Sequence, residues 1–243
     1  MIIIPAIDLL DGQCVRLKQG REQSPRVYSD DPVAIAQKWQ SDGAELLHLV
    51  NLDGAFGRAE KNRTVIAEII RLSSIPIQLG GGIRTISDIA HWLDLGTTRV
   101  ILGTVAVNSP IVVQEAVRNF GAEKIVVGLD ARNGAVAIEG WKNQTDRDVF
   151  NAAEDMKKLG VIRIVYTDVS RDGLLEGPDL NTTLQLAGQT ALRVIASGGF
   201  SRPEHFLQLH ALANERIEGV IVGTALYEGH FELPQLITLL RSF

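Results

Sequence analysis

Two aspartates stand where apolar runs stop. Ile2-Ile3-Ile4-Pro5-Ala6-Ile7 leads into Asp8, and Ile125-Val126-Val127-Gly128-Leu129 leads into Asp130. A carboxylate closing a buried strand needs solvent or a partner, because an isolated buried charge is costly. Each could simply cap a loop or pair with a cation. Taken together, one on each side of a ligand, they supply a general base and a general acid, provided one is held protonated against an ordinary pKa of about 3.9. Thr167, at the end of another apolar run, is placed to orient Asp130. Thr167 opens a polar, glycine-containing loop that brings in Asp172 and, further on, Gly177. Asp172-Gly173 also reads as an ordinary turn.

Glycines follow four of the apolar runs in two matching sets. Gly81-Gly82-Ile83 matches Gly198-Gly199-Phe200, and Val100-Ile101-Leu102-Gly103-Thr104 matches Val220-Ile221-Val222-Gly223-Thr224. Such glycines permit tight turns, and the amides they expose beside a helix N-terminus suit an anion. Gly82, Gly103 and Thr104 therefore form one expected phosphate cradle, and Gly199, Gly223 and Thr224 a second. Two cradles across one mouth want an elongated ligand with a phosphate at each end. Arg21 and Arg84 are candidates for added cationic contacts, although loop arginines are commonly just solvated. Trp141, after Gly140, could stack on a flat heterocycle or cover core.

Positioning these groups takes a regular scaffold. Nearly continuous apolar runs, as expected of strands buried on both faces, fall at 2–7, 46–51, 75–79, 99–103, 125–130, 162–167, 192–197 and 219–223. Helical periods fall between and after them, at 32–41, 62–72, 86–95, 110–119, 147–159, 180–187, 203–213 and 234–240. Eight β/α units in 243 residues leave about 30 residues per unit, the size of one strand, one helix and two short connections. The expectation is an α/β fold, a (β/α)8 barrel spanning residues 1–243 as one domain, rather than an open doubly wound sheet. The latter would usually carry a glycine-rich dinucleotide turn after its first strand, which Ile7-Asp8-Leu9-Leu10-Asp11-Gly12 does not offer. The chain also repeats at half its length. The glycine pairs lie 117 residues apart, Val100 and Val220 120, Asp8 and Asp130 122, and Asn51 is matched with Thr167 at 116.

Composition narrows the function classes. With 45% hydrophobic and 22% charged residues the chain is neither disordered nor fibrous. A net charge of −5 gives no basic footprint for nucleic acid or anionic lipid, so neither partner is expected. The apolar start is broken by Pro5 and Asp8 and lacks a basic leader, so it reads as a first strand; no transmembrane helix is expected. One cysteine, Cys14, suits a reducing cytoplasm. Asp8, Asp11, Asp53, Asp130, Asp168 and Asp172 all lie near strand ends, but no His-x-Glu or His-x-x-x-His spacing accompanies them, and no metal or cofactor is expected. Gly-x-Ser-x-Gly and the Walker A pattern do not occur.

Ile4-Pro5-Ala6-Ile7-Asp8-Leu9, Val15-Arg16-Leu17 with Gln19-Gly20, His48 through Ala55, Gln78 through Arg84, Val127 through Arg132, and Thr167-Asp168 through Asp172-Gly173 closely resemble the histidine-biosynthesis isomerases that act on phosphoribosylformimino-aminoimidazole carboxamide ribotide. The resemblance runs from end to end. It implies a cofactor-free Amadori rearrangement of a bisphosphorylated aminoaldose to an aminoketose, with Asp8 as the base that takes the C2 proton, Asp130 as the acid that helps open the ribose ring, and Thr167 as a supporting residue. A monomer is expected. Two departures stand out: Asn51 replaces a usual Asp, and Thr224-Ala225-Leu226 stands where Arg-Ala-Leu is common. Three rival readings remain. One is a bifunctional isomerase that also takes phosphoribosylanthranilate, suggested by Ala55-Phe56-Gly57-Arg58 but lacking the extra arginine at Glu139. Another is the related cyclase subunit, whose first strand usually ends Cys-Leu-Asp. The third is a non-catalytic phosphosugar-binding barrel, which only Asn51 encourages.

Overall fold

The computed structural model describes residues 1–18, 21–58, 61–175, 177–213 and 215–242; the side chains of residue 18 and of residues 21–24 lie outside the description. Twelve strands share one sheet: β1 (Ile2–Leu10), β2 (Gln13–Lys18), β3 (Arg21–Ser29), β4 (Leu47–Asn51), β5 (Ile77–Gly80), β6 (Arg99–Leu102), β7 (Ile125–Arg132), β8 (Ala135–Ile138), β9 (Asn143–Asp148), β10 (Arg163–Asp168), β11 (Arg193–Ser197) and β12 (Ile217–Val222). Eight of them pair in parallel in the order β1, β4, β5, β6, β7, β10, β11, β12, and β12 returns to β1. The ring is closed, so the parallel sheet has no edge to protect. This is the (β/α)8 barrel that the apolar runs implied.

Strand alternation decides which side chains fill the ring. Ile4, Ala6, Leu46, Ile101, Val126, Val165, Ile195 and Ile221 form a separate interior cluster, while the alternate residues join the larger core beneath the helices. The eight principal helices are α1 (Pro32–Ser41), α3 (Arg63–Leu72), α4 (Ile86–Asp94), α6 (Pro110–Phe120), α7 (Val149–Lys158), α8 (Leu180–Thr190), α9 (Pro203–Leu212) and α11 (Leu233–Arg241). Local chemistry starts several of them. Asp31 caps α1 through the Ala34 amide, Thr85 and Asp88 close a capping box on α4, and Asp148 and Asp179 cap α7 and α8. Three short helices were not expected from periodicity: α2 (Leu52–Ala55), α5 (Thr104–Asn108) and α10 (Thr224–Tyr227). Four or five residues are too few to show a helical period.

The segments read as loops after the first and fifth barrel strands are antiparallel hairpins. β1 turns into β2 at Asp11-Gly12 (φ 51° and 80°), and β7 turns into β8 at Asn133-Gly134 (φ 52° and 80°). Both are two-residue turns with two positive φ angles, the type that Asp-Gly and Asn-Gly favour. The turns lie 122 residues apart, the same offset as Asp8 and Asp130. Each half of the barrel therefore carries its own hairpin beside its own aspartate.

Register corrects one matched pair. Val50 lies opposite Gly80 and Thr167 opposite Ser197, so the half-barrel counterpart of Thr167 is Val50 and that of Asn51 is Asp168, 117 residues apart as are the glycine pairs. A slip of one residue swaps the faces of a strand, so the distinction decides which side chain points into the barrel.

At the opposite end of the barrel, where the strands begin, Arg163 is fully buried and bridges Glu218 (2.5 Å) and Glu123 (3.0 Å), with Arg99 joining Glu218 at 2.6 Å. No helix among the described residues is long and apolar enough to cross a membrane.

Candidate active site

β1 and β7 are four places apart in a ring of eight, so Asp8 and Asp130 rise from opposite walls of the mouth. Both continue the inward-facing parity of Ile4, Ala6 and Val126. Burial pushes the Asp8 carboxyl up from 3.8 to about 7, Asp172 adds like-charge repulsion, and Arg16 opposes the rise. Asp130 is also raised, first by burial. Hydrogen bonds from Trp141 and Thr167 pull it down, and Asp172 pushes it up. Asp172 is raised by burial against the pull of Arg16. Three carboxyl groups, each raised, thus crowd one cup. Burial shifts both facing carboxyls in the direction that the sequence reading requires of one of them.

Each hairpin returns one side chain to the acid of its own strand. From β2, the Arg16 guanidinium lies 3.5 Å from Asp172, donates to Thr224 Oγ1, and favours the charged form of Asp8. From the turn between β8 and β9, Trp141 Nε1 donates to Asp130 Oδ2 at 2.8 Å. Each hairpin also reaches a cradle threonine on the neighbouring strand's loop: Arg16 bonds Thr224, and the Glu139 amide donates to Thr104 Oγ1 at 2.9 Å. The sequence left Trp141 between stacking on a heterocycle and covering core; in this structure its indole donates to Asp130. Arg16 was given no role at all. Its signal was available in the alternation of β2, since Val15 and Leu17 pack with Leu10 while Arg16 must face the other way.

The glycines divide into two kinds. A Cβ on Gly81 would lie 2.2 Å from the Asn51 carbonyl oxygen, on Gly82 2.3 Å from Gly54 backbone, and on Gly199 2.4 Å from the Gly177 carbonyl oxygen. These residues are glycine because the loop after the preceding strand packs flat on them, whatever ligand is bound. Gly177 is thereby the second half's equivalent of Gly54. A Cβ on Gly103 would meet nothing within 4 Å, and one on Gly223 only Ala6 at 3.7 Å. Open space lies over Gly103 and Gly223, and both have nearly the same backbone angles (φ −96°, ψ −106° and φ −112°, ψ −90°) ahead of α5 and α10. Room for an anion is therefore at this pair.

Arg84 donates to the carbonyl oxygens of Gly54 (3.2 Å), Gly82 (3.1 Å) and Ala55 (3.1 Å), so its guanidinium ties the loop after β4 to the first glycine pair. Arg21 opens β3, and its side chain lies outside the described residues. Asn51 does not face the cup. Its Oδ1 caps α2 by accepting from the Gly54 amide (3.0 Å) and also accepts from Asn62 Nδ2 (3.0 Å). An amide oxygen caps a helix as well as a carboxylate does, so the departure at this position leaves the acid pair intact. Asn62, fully buried, is the hub that the sequence reading missed: it also reaches the Leu9 carbonyl, Asp53 and the Gly12 amide, fixing the first hairpin's turn to the loop after β4.

The family model described as "Histidine biosynthesis protein" matches residues 2–232. A protein of Lachnoclostridium phytofermentans is 49% identical over 242 residues, covering 100% of both chains. One of Pelotomaculum thermopropionicum is 49% identical over 98% of this chain and 92% of its own, and one of Moorella thermoacetica 47% identical over 98% of each. All three are named as imidazole-4-carboxamide isomerases whose substrate name contains two 5-phosphoribosyl groups.

Proposed function

The chain belongs to the histidine biosynthesis protein family, and from that premise we propose that it is the family's imidazole carboxamide isomerase, an aldose–ketose isomerase converting a bisphosphorylated aminoaldose to the aminoketose. The single observation that carries the site assignment is the pairing of two raised carboxyls, Asp8 and Asp130, on opposite strands of one closed ring, each beside an open glycine turn.

A substrate with a phosphate at each end spans the mouth, one phosphate over Gly103 and Thr104 with Gly82 below, the other over Gly223 and Thr224 with Gly199 and Gly177 below. Its reacting carbons then lie between the aspartates. Asp130, aligned by Thr167 and released from Trp141, gives a proton to the ring oxygen as the C1–O bond opens and C1 becomes an iminium carbon. Asp8 takes the proton from C2, and that electron pair forms the C1–C2 double bond. Protonation at C1 and loss of the hydroxyl proton on the C2 oxygen complete the ketose, with no atom gained or lost. Asp8 accepts no hydrogen bond from any described residue, which leaves both its oxygens free for the substrate, and Arg16 favours its ionised form. The direction of the two roles rests on the family likeness. Asp172, with Arg16, holds the proton count of the cluster. Trp141 is free to stack on the imidazole once the substrate displaces it, and Arg21 is assigned to the same mouth as a cationic contact.

One chain, acting over residues 1–243 as one domain, supplies both cradles and both acids, which supports action as a monomer. The acidic balance supports a function without nucleic acid or membrane, and the free buried Cys14 suits the cytoplasm. Turnover of the aminoaldose by wild type, Asp8→Asn and Asp130→Asn tests the assignment. A variant retaining wild-type kcat would remove its residue from the pair, and an inactive wild type would leave a phosphosugar-binding barrel.

A further inference from the structure

Below the acid layer the inner wall of the barrel holds an imidazole that the chemistry above does not use. His48 lies on β4 between Leu46 and Val50, paired with Ala6 on one side and Gln78 on the other. It thus shares the parity of the interior cluster and lies one inward-facing step beneath Val50, which itself lies opposite Asp8. Gly80 on β5 and Gly128 on β7 carry no side chain, and Ile101 packs against both.

Three observations bear on what this ring does. Gln78 Nε2 lies 3.0 Å from His48 Nδ1. The roles of the two ring nitrogens depend on the tautomer: with the Gln78 amide as donor, Nδ1 accepts and the ring proton lies on Nε2. Nε2 in turn has no partner among the described residues, yet it is not one of the fully enclosed polar atoms that lack one, namely Trp39 Nε1, Gln78 Oε1, Thr97 Oγ1 and Tyr227 Oη. His48 is 9% exposed, close to Ala6 and Ile101 of the same interior at 8%, against 0% for Ile4, Val126 and Ile195. The nitrogen thus keeps some exposure. Finally, burial pushes the imidazole down to about 4, so the ring stays neutral wherever the enzyme works.

We propose that His48 is a further substrate-contacting residue, a neutral N–H donor on the floor of the cup that takes a hydroxyl or carbonyl oxygen from the middle of the substrate, and that Gln78 is the positioning residue that keeps its proton on Nε2. A neutral imidazole donates a hydrogen bond without adding charge beneath two acids that must exchange protons above it, whereas an imidazolium there would favour ionisation of both. The proposal rests on the isomerase reading.

The test begins on the wild-type chain with 15N-labelled histidine. Nuclear magnetic resonance should show His48 in the Nε2–H form, without titration from pH 6 to 9, and its Nε2 resonance should move when the aminoketose product is added but not with inorganic phosphate alone. His48→Phe should lower kcat/KM by about thirtyfold, and His48→Gln, which keeps an N–H donor, should recover to within about threefold of wild type. Gln78→Glu offers only an acceptor to Nδ1, so it should move the proton to Nδ1 and lose activity while still melting cooperatively. An Nδ1–H ring in the wild type, a His48 resonance indifferent to product, or a His48→Phe enzyme with unchanged kcat and KM would each overturn the proposal. If the variants do not fold, the two wild-type resonance measurements decide. A wild type without turnover counts against the isomerase reading, while the tautomer and the product shift remain separately readable.

Discussion

Replacing Asp8 by Asn should cost activity and add stability, and the second effect should depend on pH in a way fixed by burial. The carboxyl rises from 3.8 in the unfolded chain to about 7 in the fold, so between those values the folded state holds a proton that the unfolded state has released. Stability is therefore greatest below about pH 4, falls as the pH climbs through the window, and levels off above about 7. At about 1.4 kcal/mol per pK unit the ceiling of this penalty is about 4 kcal/mol. Asp8 is only half-buried, opening on the cup, and solvent there reduces the penalty to about 1–2 kcal/mol. Asn matches the shape without ionising. In thermal melts, the Asn variant should gain about 3–6 °C over wild type at pH 8, and the gain should shrink towards zero at pH 4. Its kcat should fall about a thousandfold, the contribution expected of a positioned base. Wild-type kcat/KM should decline about tenfold per pH unit below 7. Equal melting temperatures at pH 8, or a gain independent of pH, would show that the carboxyl is not crowded as described.

Other perturbations separate the parts of the site. Trp141→Phe removes a hydrogen bond that lowers the Asp130 carboxyl, so the alkaline limb of the kcat/KM profile should move upward; an unmoved limb would place the indole elsewhere in solution. Gly199→Ala drives a Cβ into the Gly177 carbonyl at φ 81° and should destabilise the fold by about 2–4 kcal/mol by urea melts. Gly103→Ala meets open space, so it should leave the melt within about 0.5 kcal/mol while raising KM about tenfold; matched losses in both would make Gly103 a packing glycine. Asn51→Ala should cost about 1–2 kcal/mol through the lost cap on α2, with kcat nearly unchanged, and a collapse of kcat alone would give Asn51 a chemical role. At the far end of the barrel, Glu218→Ala leaves the buried Arg163 without its closer carboxylate and should cost about 3 kcal/mol with no change in KM.

Much of this molecule can be read along the chain. Eight apolar runs with helical periods between them dictate a closed parallel barrel, because a strand buried on both faces must be apolar throughout and its crossover must pack outside. Matched glycine pairs and matched aspartates 117 and 122 residues apart make the two halves alike before any coordinate is known. The hairpin signal stood in Asp11-Gly12 and Asn133-Gly134, residues that take two consecutive positive φ angles easily, but both segments were read as loops. Register was not legible. Whether Thr167 answers to Asn51 or to Val50 turns on one residue of sliding between strands, which hydrogen bonds across the sheet settle. Nor could spacing show that Arg16 reaches Thr224, that Trp141 holds Asp130, or that Asn62 gathers four backbone and side-chain groups, since these partners are 208, 11 and up to 53 residues apart. The raised carboxyls belong to the same category. An aspartate's type is written in the chain, but its affinity for a proton comes from the water removed and the charges brought near when the ring closes.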